Sequence, residues 1–133
     1  MPGAKSALEV KNGMTFLDII VHQVEHLNQE NHVDVPLILM TSFYTQDDTV
    51  RIIKNYANHQ VRIATFTQSR YPRVYEESLQ LCPQSFEDDK DKWYPPGHGD
   101  LYNSLVHTSL LDRLLAQGKE YLFVSNVDNL GAT

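Results

Sequence analysis

From Thr15 to Asn31 the apolar residues Phe16, Leu17, Ile20, Val24 and Leu27 recur at helical spacing, which predicts an amphipathic helix with those residues inward. Thr15 precedes it and Asp18 follows three residues later, the pattern of an N-terminal capping box. Val35 to Met40 is a short, nearly continuous apolar run, as expected of a strand covered on both faces. Thr45, with Asp47 and Asp48 behind it, predicts the start of a second helix carrying Val50, Ile53 and Ala57 inward, since acidic residues suit a helix N-terminus. Val61 to Phe66 reads as another strand. Residues 68–99 are irregular, with Pro72, Pro83, Pro95, Pro96 and a charged run from Glu87 to Lys92; a loop of this length is functional or disordered. Helical spacing returns from Asp100 to Gln117 through Leu101, Leu105, Leu111, Leu114 and Leu115, and Gly118 follows as a C-cap. Tyr121 to Ser125 is expected to form the last strand.

Strands alternating with helices predict an α/β fold, with right-handed crossovers, a mostly parallel sheet and helices on both faces. Ligands of such sheets bind beyond the carboxyl ends of the strands. That rule selects Thr41-Ser42, Thr67-Gln68 and Asn126-Val127-Asp128.

Composition narrows the function. The 133 residues, 41% of them hydrophobic, fit one modest globular domain. Eleven Lys and Arg against 17 Asp and Glu give a formal net charge of -6, which argues against a nucleic-acid or anionic-membrane partner. Any phosphate ligand has to be held locally, by backbone N–H groups, a bound cation or a few side chains. Cys82 is the single cysteine, so no internal disulfide forms. With no leader pattern at the start, a reducing, cytoplasmic setting is expected. No apolar run approaches the ~20 residues of a membrane helix.

Three constellations have ligand-binding chemistry, and each has a plain alternative. In Trp93-Tyr94-Pro95-Pro96-Gly97-His98-Gly99-Asp100, prolines fix the backbone, glycines permit close approach and a helix follows at once, so an anionic nucleotide suits the place; an ordinary Pro/Gly turn with a surface histidine fits equally. Asn126-Val127-Asp128-Asn129 follows an expected strand and offers a carboxylate for Mg²⁺ and an amide for ribose or sugar hydroxyls, or else a turn of residues that favour turns. Lys5 is either a phosphate point charge or an exposed terminal lysine. His22-Gln23-Val24-Glu25-His26 matches the H-x-x-E-H zinc-hydrolase pattern, but helical phase puts His22, Glu25 and His26 opposite the apolar stripe, on a solvated face. A zinc hydrolase using His22 and His26 is thus the remote alternative. His32, His59 and His107 read as surface residues.

The chain also resembles a known family, the eukaryotic UTP–glucose-1-phosphate uridylyltransferases or UDP-glucose pyrophosphorylases, with fungal and animal members nearest. The matching stretches are Lys5-Ser6 with Leu8-Glu9-Val10, Thr15 to Asp18, Val35 to Phe43, Gln68 to Arg73, Trp93 to Asp100 and Phe123 to Thr133. The resemblance implies a Rossmann-like nucleotidyltransferase fold, with residues 1–133 forming part of the nucleotide-binding catalytic domain. It also implies a glycine-rich loop ahead of the Lys5 segment, and a further lysine and a C-terminal β-helix domain past Thr133, all outside this sequence. Ala4 stands where the family usually has proline. By position, Lys5 is implied to reach the nucleotide phosphates and the metal region, Gln68 and the Gly97 backbone to bind uracil, and His98 to contact the sugar phosphate. Asn126 is implied to contact sugar hydroxyls and to lie by the UTP, Val127 to contribute backbone, and Asp128 to hold Mg²⁺. Catalysis then falls to Lys5, His98 and Asp128, with UTP, glucose 1-phosphate, UDP-glucose and pyrophosphate as ligands and a homo-oligomer open for the full-length enzyme. An inactive nucleotide-binding fragment of that enzyme is the alternative.

Overall fold

Thr15 and Asp18 cap the first long helix of the computed structural model, which describes residues 4–131. Met1 to Gly3, and Ala132-Thr133 at the end of the last matching stretch, lie outside the described residues. A 3₁₀ turn at Lys5–Ala7 leads into an antiparallel pair, β1 (Glu9–Lys11) and β2 (Met14–Thr15). Helix α1 (Phe16–Asn31) then starts with the expected capping box: the Asp18 N–H donates to Thr15 Oγ1 (3.1 Å) and the Thr15 N–H to Asp18 Oδ2 (2.7 Å). Such a cap contributes about 1 kcal/mol.

The buried stripe of α1 differs from the expected one by a fraction of a turn. Leu17 and Val21 are fully buried, whereas Leu27 is 45% exposed. Asn28 takes the inward position instead, because its amide accepts from the Val35 N–H (2.8 Å) and donates to the Val35 carbonyl (3.0 Å). The side chain thus replaces a ladder partner for the residue that leads into the sheet, where leucine would strand two backbone groups.

Strand β3 (Leu37–Thr41) and strand β4 (Ile63–Thr67) pair in parallel, from Leu37 opposite Ile63 to Thr41 opposite Thr67. Alternation along the two strands divides the core. Leu37, Leu39 and Ile63 pack with Leu17, Val21, Tyr56 and Val61, and Ile38 and Met40 pack with Phe66, Leu105, Leu110 and Leu114. Cover on both faces is why β3 is apolar from Leu37 to Met40 without alternation.

The crossover is α2 (Gln46–Ile53), which tightens into a 3₁₀ turn at Lys54–Tyr56. Ile53 packs inward as expected and Val50 is half-buried, but Ala57 is exposed. The change from 3.6 to 3.0 residues per turn brings Tyr56 to the core in its place. Tyr56 donates to Asp18 Oδ1 (2.6 Å), and burial, with that carboxylate, pushes its phenol up to about 12.

Two short strands organise the expected irregular stretch: β5 (Tyr71–Pro72) pairs antiparallel with β6 (Trp93–Tyr94). Arg70, just ahead of β5, lies over the Phe86 and Trp93 rings, 3.4 and 4.6 Å from their centroids. The single helix expected over 100–117 is two, α3 (Leu101–His107) and α4 (Leu110–Ala116), separated at Ser109 with φ 53°. An unbroken helix would align Leu105 with Ser109 and Asp112; the break sets Leu105, Leu110 and Leu114 against Phe66 together. Gly118, φ 72°, closes α4 as expected.

The strand expected at Tyr121–Ser125 does not form. Tyr121 is 91% and Phe123 74% exposed, and no ladder among the described residues pairs with the segment. A β pattern specifies a strand only where another strand completes its hydrogen bonds.

Candidate functional site

At the carboxyl ends of β3 and β4 the polar groups are divided between internal bonds and an open surface. Thr41 and Ser42, expected to face a ligand, are buried. Thr41 Oγ1 donates to the Gln46 side chain and the Ser42 N–H to Thr45 Oγ1 (3.1 Å), so this segment joins β3 to α2. Gln68 does reach the surface, held in place by its N–H donating to the Thr41 carbonyl at 2.9 Å.

Gln68 Oε1 accepts from the Gly97 N–H at 2.8 Å. Gly97 has φ 89° and ψ -155°, a backbone region open only to glycine at low cost; a Cβ there would meet nothing within 4 Å, so the conformation and not crowding requires it. The sequence reading placed Asp100 at a helix start; its larger role was missed. Asp100 is 4% exposed, and its Oδ2 accepts from the Ser69 N–H (2.7 Å) and from Ser104 Oγ (2.6 Å). Burial raises its carboxyl, but the Ser104 hydroxyl and Ser69 N–H outweigh it, leaving the group below its ordinary value of 3.8. An anion at that depth joins the Gln68-Ser69 and Gly97–Asp100 segments. The signal for it was Ser104, one helical turn beyond Asp100.

His98 lies exposed in the 3₁₀ turn His98–Asp100 that leads into α3. Beside this turn a cleft of about 270 Å³ runs between Tyr71, Tyr94, Pro96, Gly99, Asp100 and Asn103.

A second pairing links the ends of the sequence. Lys5 Nζ lies 3.5 Å from Asp128 Oδ2, with side chains 59% and 45% exposed. A pair this open contributes little to stability. Both groups therefore remain available to a ligand. Asp128 sits in a turn closed by the Asn129 N–H on the Asn126 carbonyl (3.0 Å), where Asn126 is exposed and Val127 half-buried. The structure thus brings Lys5 to Asp128 and Gln68 to Gly97; among the described residues no hydrogen bond connects one pair with the other. The Asp128 carboxylate is a hard oxygen donor with open space around it, which suits Mg²⁺ completed by phosphate and water.

The His22 and His26 alternative does not assemble. His26 Nε2 lies 3.3 Å from Glu30 Oε1 on the solvated face. Glu25 turns the other way, to His59, which was expected as a plain surface residue and is half-buried.

The family model for UTP–glucose-1-phosphate uridylyltransferase matches residues 1–133, so the chain belongs to that family. It is 53% identical over 130 residues to a probable UTP–glucose-1-phosphate uridylyltransferase of Schizosaccharomyces pombe, covering 98% of this chain and 26% of that protein. Among solved structures, UDP-glucose phosphorylase from Trypanosoma brucei superposes with TM-score 0.83 at 40% identity, covering 100% of this chain and 29% of that one. A mutant UDP-glucose pyrophosphorylase from Leishmania major in complex with UDP-glucose gives 0.81 at 37%, covering 98% and 28%. The expected nucleotidyltransferase fold is therefore present, and the chain spans about a quarter of its relatives' length.

Proposed function

We propose that the protein carrying this chain makes UDP-glucose: a phosphate oxygen of glucose 1-phosphate attacks the α-phosphorus of UTP in line, and the bond to the bridging oxygen breaks to release pyrophosphate. Family membership supports this, and the observation that carries it is the meeting of Lys5 with Asp128, 123 residues apart, at 3.5 Å. A cation and a carboxylate held half-exposed are the local charges that a phosphate ligand needs on a chain of net charge -6.

The residues divide the work. Lys5 places a point charge against the phosphates, where charge changes most during the reaction. Asp128 holds Mg²⁺, which when bound neutralises phosphate charge as it develops. Gln68 Oε1 and the Gly97 N–H, an acceptor beside a donor, complement the N3–H and a carbonyl of uracil, which exchanges for the bond they make with each other. Cytosine, with an acceptor at N3 and a donor at its amino group, meets the same pair only in a register shifted along the base edge, so the position of the base against Gln68 and Gly97 sets the preference. His98 faces the sugar phosphate, Asn126 the sugar hydroxyls, and Val127 supplies backbone. No protein nucleophile is required, so positioning and charge account for the rate.

A cytoplasmic setting without a nucleic-acid or anionic-membrane partner is the reading that the acidic net charge supports; among the described residues no helix is long and apolar enough to cross a membrane. Self-association is compatible with the full-length enzyme. The test is pyrophosphate release from UTP and glucose 1-phosphate, measured on the full-length protein, its Asp128→Ala variant and residues 1–133 alone. The full-length protein is expected to turn over, the variant to lose activity, and the isolated chain to show none. An active Asp128→Ala enzyme refutes the metal assignment.

A further inference from the structure

We infer that His22, Glu25 and His59 form a binding site for a borderline-soft transition-metal dication of the zinc(II) class, separate from the Lys5–Asp128 pair. One ligand atom from each lies within 4.8 Å of the others, the one group of three such donors among the described residues that is spaced to hold an ion. His22 and Glu25 are three residues apart on α1 and so share a face. His59 arrives from the turn between α2 and β4.

Two imidazoles and one carboxylate form a donor set that takes zinc and leaves a position for water. Donors on a tetrahedral ion at ~2.0–2.2 Å stand about 3.4 Å apart. His59 Nδ1 and Glu25 Oε2 already stand at 3.2 Å. The exposed His22 ring is the donor left to close on that pair, and a solvated side chain shifts at small cost.

The surroundings hold the other two donors. Glu25 Oε1 accepts from the Gln60 N–H at 2.8 Å, which leaves Oε2 directed at His59. That N–H, followed by His59, keeps the carboxyl below its ordinary 4.5. The His59 ring lies against Tyr56, centroids 5.6 Å apart, and Tyr56 is fixed to Asp18 on α1, one helical turn before His22. Outer partners of this kind orient metal ligands and are worth about 10–100-fold in affinity. An ion here joins α1 to the chain after α2 through covalent ligation, so it acts as a clamp on the fold and not as a hydrolytic centre. Hard Mg²⁺ prefers all-oxygen ligands, so the two cation sites do not compete.

The experiment is zinc(II) titration of the chelator-treated full-length protein in excess Mg²⁺, read by competition with a chromophoric chelator and by melting temperature. One equivalent per chain is expected, with a zinc-dependent rise in melting temperature. His22→Ala and His59→Gln should each weaken binding at least about tenfold and remove the rise, while His26→Ala leaves both unchanged. Lack of binding at one equivalent overturns the site. So does binding unaffected by His22→Ala, an exposed change that leaves the fold intact, or a loss in His26→Ala as large as in His22→Ala.

Discussion

Replacing Asp100 with alanine removes the acceptor of two short bonds, at 2.7 Å from the Ser69 N–H and 2.6 Å from the Ser104 hydroxyl. Bonds to an ionised group contribute about 1.5–3 kcal/mol each. Ser69 is half-buried, so water recovers part of its loss, and the Ser104 hydroxyl can turn to a helix carbonyl. The net cost should be about 2–4 kcal/mol, large for one substitution. Asp100→Asn keeps the shape and one acceptor and should cost roughly half as much. Because the folded carboxyl lies below its ordinary 3.8, its contribution is complete above that value and is lost as pH falls through the lower folded value. Urea unfolding of the wild type should therefore weaken below about pH 4 by an amount that Asp100→Asn lacks. Gln68 precedes Ser69, so the alanine variant should also raise the KM for UTP more than that for glucose 1-phosphate. Wild-type stability in Asp100→Ala, or equal acid sensitivity in wild type and Asp100→Asn, would refute the reasoning.

Gln68→Ala should raise the KM for UTP and relax discrimination against CTP, because the Gly97 N–H loses the acceptor that completes the uracil match; steady-state kinetics with both nucleotides decide it. His98→Ala in the same assay should act on glucose 1-phosphate. Asn28→Ala should cost about 1–3 kcal/mol in urea unfolding, since the Val35 N–H and carbonyl both lose their partner, and a cost near zero would mean that water replaces the amide.

What the sequence disclosed depended on how local the cause was. The capping box of Thr15 and Asp18, the Gly118 stop and the apolar runs of β3 and β4 are each decided within a few residues, and all are present. Errors arose where a distant group settles the outcome. Periodicity favoured Leu27 over Asn28, and only the position of Val35 makes an amide the better inward residue. The break at Ser109 is a property of what Phe66 needs against it, which no local propensity records. Tyr121–Val124 has a strand's composition without a hydrogen-bonded neighbour.

The candidate sites follow the same division. Lys5, Gln68, Gly97 and Asp128 were expected as site residues by type and by likeness to a family, and the fold adds that they stand in two pairs, Lys5 with Asp128 and Gln68 with Gly97. Asp100 and His59 were read as a helix start and a surface residue because their roles lie wholly in partners far along the chain: Ser69 for one, Glu25 and Tyr56 for the other. A buried carboxylate shows itself through the donors around it and a metal ligand through the other ligands. Both become visible only once α1, the turn before β4 and the start of α3 have their places in space.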